Sequence, residues 1–120
     1  MTRLITNRRQ SGSIAIVDLC GRIDLGEASL ILRQTIRELV ASGQTKILLN
    51  LCEVEAIDSA GVGELVGAYT PVMAKGGALK FLNPTKKVLS ILQITQLDKV
   101  FEIYTNEQMA IQSFPEAIHG

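Results

Sequence analysis

Hydrophobic and polar positions follow two different periods along the chain, and each change of period marks an element. Leu4 to Arg9 is mixed, as suits an edge strand, and Gln10-Ser11-Gly12-Ser13 supplies turn residues for a hairpin. Ile14 to Cys20 is β-branched and mostly apolar, the pattern of a strand with one well-covered face, which Gly21 is expected to end. Arg22-Ile23-Asp24-Leu25-Gly26 then reads as a loop, with Asp24 a candidate for the cap region of the next helix. From Glu27 to about Ser42 the pattern is helical. Ala28, Ile31, Leu32, Leu39 and Val40 trace its inner stripe with Ile36 at the margin, while Arg33, Gln34, Arg37, Glu38 and Ala41 face out. Gly43 suits a left-handed C-cap. Lys46 to Leu51 is a continuous apolar run, typical of a central strand covered on both faces, and Cys52 to Ala56 reads as a connection.

The next helix is expected from Ser59 to about Ala74. Val62, Leu65, Val66, Tyr69, Val72 and Met73 fall on one helical face. Asp58 and Ser59 are both natural N-cap residues, because a short side-chain oxygen accepts an unpaired N–H of the first turn. A helix mouth also presents free N–H groups and a positive dipole end, so it tolerates a phosphate. Gly63, Gly67 and Pro71 form a smooth stripe on the opposite side of this helix. Glycine inside a helix costs about 1 kcal/mol relative to alanine, so two in line imply a close approach of another backbone. That backbone belongs either to a partner or to a neighbouring element of the same chain.

Lys75-Gly76-Gly77 breaks the helix, Ala78 to Leu82 is a strand, and Asn83-Pro84-Thr85 turns into a short helix, Lys86 to Leu92. Val100 to Tyr104 reads as the last strand, and Thr105-Asn106 caps a final helix running to about Phe114, with Pro115 onward a tail. The predicted order is β-β-α-β-α-β-α-β-α. It implies a single α/β domain over 4–114, with a tail over 115–120. The sheet has about five strands, mostly parallel with the first strand antiparallel, and about four helices joined as right-handed crossovers.

Composition narrows the function. Across 120 residues, twelve basic side chains balance twelve acidic ones, which argues against a nucleic-acid binder working by phosphate neutralisation. Aromatic residues are 4% and tryptophan is absent, so the core must be aliphatic. Cys20 and Cys52 sit in apolar runs and are expected to be buried, reduced thiols with no zinc pattern around them. No segment reaches the roughly 20 apolar residues of a membrane span, and the amino end lacks a signal-peptide pattern, so the chain is expected to be cytoplasmic. The single histidine, His119, falls in the expected tail, no nucleotide-binding Gly-rich loop is present, and no carboxylates are paired for acid/base work. The expectation is a switch or adaptor, not an enzyme, with no catalytic residues, metal or cofactor.

Four stretches resemble one family. Cys20-Gly21-Arg22-Ile23-Asp24 resembles the Gly-x-hydrophobic-Asp turn, and Lys46 to Leu51 the central strand, of the sulphate-transporter and anti-sigma-factor-antagonist (STAS) domain. Ile57-Asp58-Ser59-Ala60-Gly61-Val62-Gly63 resembles its Asp-Ser-Ser/Thr-Gly-hydrophobic-Gly signature, and Lys75-Gly76-Gly77 its exit from the following helix. The resemblance implies a bacterial anti-sigma factor antagonist. Such a protein binds an anti-sigma factor serine/threonine kinase, is switched off when that kinase phosphorylates a signature hydroxyl, and is restored by a PP2C-type phosphatase. The family's second hydroxyl is replaced here by Ala60, which leaves Ser59 as the acceptor. Ser59 alternatively serves only as a helix cap, worth about 1 kcal/mol. Asp24, Asp58, Ser59, Ala60, Gly61, Gly63 and Gly67 are the expected partner-binding residues, with Asp58 adding to a negative field or orienting the serine hydroxyl. The alternative, favoured by Ala60, is an unphosphorylated STAS interaction subunit of a transporter or signalling scaffold. Dimerisation stays open.

Overall fold

A computed structural model describes residues 4–115. One five-stranded sheet runs in the order β1-β2-β3-β4-β5, with β1 antiparallel to β2 and every other neighbouring pair parallel. β1 (Ile5–Ser11) and β2 (Ile14–Ile23) form the hairpin, turning at Gly12 with φ 57°. The remainder alternates as α1 (Glu27–Ala41), β3 (Lys46–Ile57), α2 (Ser59–Ala74), β4 (Ala78–Leu82), α3 (Lys86–Ile94), a 3-10 turn at Leu97–Lys99, β5 (Ile103–Tyr104) and α4 (Glu107–Ser113).

Because the strands are laid down in sequence order by crossovers of one hand, α1, α2 and α3 all fall on the same face of the sheet. The main core lies between them. Alternate residues Ala15, Val17 and Leu19 of β2 and Ile47, Leu49 and Leu51 of β3 meet Leu32 and Ile36 of α1, Leu65 and Val72 of α2, and Val88 and Leu92 of α3. Fully burying each such leucine or isoleucine is worth about 1.5–3 kcal/mol, so this face dominates the stability. The expected inner stripe of α1 is shifted slightly. Ile36 is fully inside, and Thr35 is buried by donating its hydroxyl to the Ile31 carbonyl at 2.8 Å.

The other face is covered only in part. Ala110 of α4 and Phe114, just past its end, close over Ile14, Ile16, Leu48 and Leu82. Lys80, only 5% exposed, points into this layer and donates to the Ser113 carbonyl at 2.9 Å, at the carbonyl end of α4. Arg9 fixes the start of α4 by bridging Asp18 (2.7 Å) and Glu107 (2.7 Å). The Asp18 carboxyl is held down at about 2, chiefly because Arg9 donates two hydrogen bonds to it, helped by Asn50 and Asn7 and opposed by partial burial.

Four expectations need correcting. β2 does not stop at Gly21, which at φ 120° carries the strand through an irregularity to Ile23. β3 runs on through the expected connection to Ile57, because register shifts opposite Asp18/Cys20 and Gly21/Arg22 absorb the extra residues. Only Ile103–Tyr104 of the expected last strand pairs in register; Phe101 instead turns inward to pack on Phe81 and Tyr69, with ring centroids 4.5 and 5.2 Å away. Cys20 and Cys52 are not buried: both are exposed, on the part of the sheet that α4 does not reach. The expected tail from residue 116 onward, His119 included, lies outside the described residues.

Candidate functional site at the mouth of α2

The site is built where the carboxyl ends of β2 and β3 meet the first turn of α2. Ile23 and Ile57 pair at the end of the two strands, and the Asp58 N–H then donates to the Ile23 carbonyl at 3.3 Å. Asp58 leaves the strand with extended backbone (φ −106°, ψ −175°) and acts as the cap: its Oδ1 accepts the Gly61 N–H at 2.8 Å. Its Oδ2 accepts the Leu25 N–H at 3.4 Å, which ties the loop before α1 to the same helix mouth. With one bond on each oxygen, Asp58 is a clamp between two segments.

Of the two candidate caps, then, Asp58 does the capping and Ser59 is the first residue inside the helix. Ser59 is exposed, and among the described residues its hydroxyl has no hydrogen-bond partner. It stands in the first turn, where N–H groups lack intrahelical acceptors and the dipole favours an anion. Ala60 faces elsewhere. It lines a cleft of about 420 Å³ with Leu25, Gly26, Ser29, Leu30 and Arg33. The two positions of the family's hydroxyl pair therefore look in different directions, one to solvent and one toward α1.

Gly61 is buried, and the structure turns it away from the surface expected to meet a partner. A Cβ built there would lie 2.1 Å from the Ile23 carbonyl oxygen and 2.7 Å from the Ile57 side chain. Its part is to let α2 sit close on the sheet. Gly63 and Gly67 are different. Both are exposed, and no atom lies within 4 Å of a Cβ built on either, beyond the helix's own backbone and the chain neighbours. Packing within the chain therefore does not account for the stripe. Together with Pro71 it forms one wall of a cleft of about 370 Å³ whose other wall is Ile36 and Arg37 of α1.

Arg33 and Glu64 join the two walls. The guanidinium donates to both carboxylate oxygens at 2.7 and 3.0 Å, and this pairing holds the Glu64 carboxyl below its usual range against the opposing effect of burial. Glu64 is the inner partner, its side chain 12% exposed against 48% for Arg33. Asp24 is not the cap of α1; that place is taken by Gly26 at φ 100°, without a side-chain bond. The Asp24 carbonyl accepts the Ser29 hydroxyl at 2.8 Å, and its carboxylate stands 3.7 Å from Arg22. It lies in the same loop as Leu25, which is 80% exposed beside the helix mouth. The apolar pattern did not single out Leu25 or the Arg33–Glu64 pair: the first looks like a loop residue, and the second joins positions 31 residues apart.

A sheet whose strand ends present a capped helix mouth with an outward serine defines a class, a small α/β domain with its site outside the carboxyl ends of the strands. Residues 6–110 match the STAS domain, and the chain belongs to that family. The anti-sigma-B factor antagonist of Bacillus subtilis is 29% identical over 96 residues, covering 80% of this chain and 86% of that protein. The crystal structure of a candidate anti-sigma factor antagonist from Thermotoga maritima superposes with a TM-score of 0.85 at 26% identity, covering 91% of this chain and 93% of that one. The Bacillus cell fate determinant SpoIIAA, solved in its phosphorylated form, shares the fold with a TM-score of 0.71 at 24% identity, over 90% of this chain and 97% of that one. No helix among the described residues is long and apolar enough to cross a membrane.

Proposed function

We propose that this chain is an anti-sigma factor antagonist whose α2 mouth docks on an anti-sigma factor serine/threonine kinase, and that phosphorylation of Ser59 ends the docking. The observation that carries this reading is the division of labour at the helix start. Asp58 caps, so the Ser59 hydroxyl is left exposed and unbonded at a position where a phosphate is tolerated. A phosphate adds close to two negative charges beside the Asp58 carboxylate, and a partner surface fitted to a neutral serine is then repelled. The docking surface comprises Asp24, Asp58, Ser59 and Ala60, the open stripe of Gly63 and Gly67, and the exposed Leu25; Gly61 supports it from below. A PP2C-type phosphatase returns the chain to its binding form. The chain itself does no chemistry, since phosphoryl transfer uses the kinase's own base and nucleotide site.

The test is a pull-down and a kinase assay with wild type, Ser59→Ala and Ser59→Asp. The wild type gains about 80 Da, one phosphate, on incubation with the cognate kinase and ATP, and Ser59→Ala does not. Ser59→Asp loses the kinase while Ser59→Ala keeps it. No mass gain with any histidine-kinase-fold partner from the same cell would overturn the reading.

Ala60 supports a second reading, in which the domain is an unphosphorylated interaction subunit of a transporter or a signalling scaffold. A transporter ATPase recovered equally by wild type and Ser59→Asp would establish it.

A further inference from the structure

The sheet face opposite the three crossover helices carries two thiols that play no part in the α2 site. Leu19 and Leu51 point into the main core, so the next residues, Cys20 and Cys52, point to the other face of adjacent strands. Both are exposed, because α4 covers only the Ile14, Ile16, Leu48 and Leu82 end of that face. Register brings them together. Asp18 pairs with Asn50 and Cys20 with Glu53, so β3 sets three residues against two of β2, and Cys52 falls between the levels of Leu19 and Cys20. The Asn50 side-chain oxygen accepts the Cys52 N–H at 3.2 Å and holds this bulge. With strands about 4.8 Å apart and a stagger smaller than one residue's rise, the two Cα atoms are about 5–6 Å apart. A disulfide spans Cα separations of about 4.4–6.8 Å, with both side chains directed to the same side.

We propose that Cys20 and Cys52 are a dithiol couple that a two-electron oxidant of the peroxide class closes into a disulfide across β2 and β3. Each thiol gives up a proton and an electron, the S–S bond forms, the peroxide O–O bond breaks, and two waters leave. The pairing is intramolecular because the folded sheet holds the second thiol at a high effective concentration, which another molecule cannot match. It is independent of any event at Ser59.

The reduced full-length chain is treated with hydrogen peroxide and read by intact mass, alkylation and peptide mapping. The mass falls by about 2 Da, both thiols become inert to iodoacetamide, dithiothreitol restores them, and a Cys20–Cys52 linked peptide appears. Cys20→Ser and Cys52→Ser each abolish the loss of mass; the linked peptide from wild type decides the matter even if a variant misfolds. Disulfide-linked dimers as the only oxidised product, stepwise mass gains at single sulfurs without the 2 Da loss, or full alkylation after oxidation would each overturn it.

Discussion

The Ile23 carbonyl oxygen stands where a Cβ on Gly61 would come within 2.1 Å of it. The first turn of α2 is thus seated directly on the last residue of β2, and the same carbonyl receives the Asp58 N–H. Seating and capping are one arrangement, so what disturbs one displaces the other.

Gly61→Ala should therefore destabilise the fold by about 2–3 kcal/mol, at the upper end of overpacking, since the obstacle is backbone and cannot rotate away. Urea unfolding checks this through a lowered midpoint at unchanged slope. A variant as stable as wild type would mean that α2 is not held against β2 in this way.

Gly63→Ala and Gly67→Ala should behave in the opposite sense. Each added methyl meets open space, and alanine is the better helix former, so stability should rise by about 0.5–1 kcal/mol. If the kinase backbone approaches this stripe, the same substitutions weaken its binding several-fold. Calorimetric titration alongside thermal melting separates the two effects. Higher melting temperatures with unaltered affinity would remove the stripe from the docking surface.

Much of the site was legible locally, because caps, helical periodicity and a Gly-bearing signature are all short-range patterns. That Asp58 also ties the loop before α1 to the helix mouth was not, since its second oxygen accepts a Leu25 N–H that arrives from 33 residues away. The full length of β3 was hidden for a related reason. Glu53 and Glu55 look like loop residues, and only pairing with β2 through two register shifts keeps them in the strand. The exposure of Cys20 and Cys52 follows from the reach of α4, seven residues long, which no pattern near either cysteine encodes.

Acid should weaken the Arg9 ion pairs that anchor α4 on its face of the sheet. Asp18 has its carboxyl lowered from 3.8 to about 2, first by the hydrogen bonds from Arg9, and Glu107 is lowered by the same guanidinium. A carboxyl depressed in the folded state lends stability that is fully present above its unfolded value, and that stability is lost as pH falls toward the folded value. The Asp18 contribution is therefore intact at neutral pH and disappears between about pH 4 and pH 2. Because the side chain is 29% exposed, solvent screening trims the contribution to about 1–2 kcal/mol. Asp18→Asn should cost that amount at pH 7 and progressively less as pH falls toward and below about 2, so the two stability curves converge on the acid side. Arg9 keeps Glu107 in the variant, so α4 retains that ion pair. Parallel curves across this range would mean that Asp18 is not ionised against Arg9 in the folded protein.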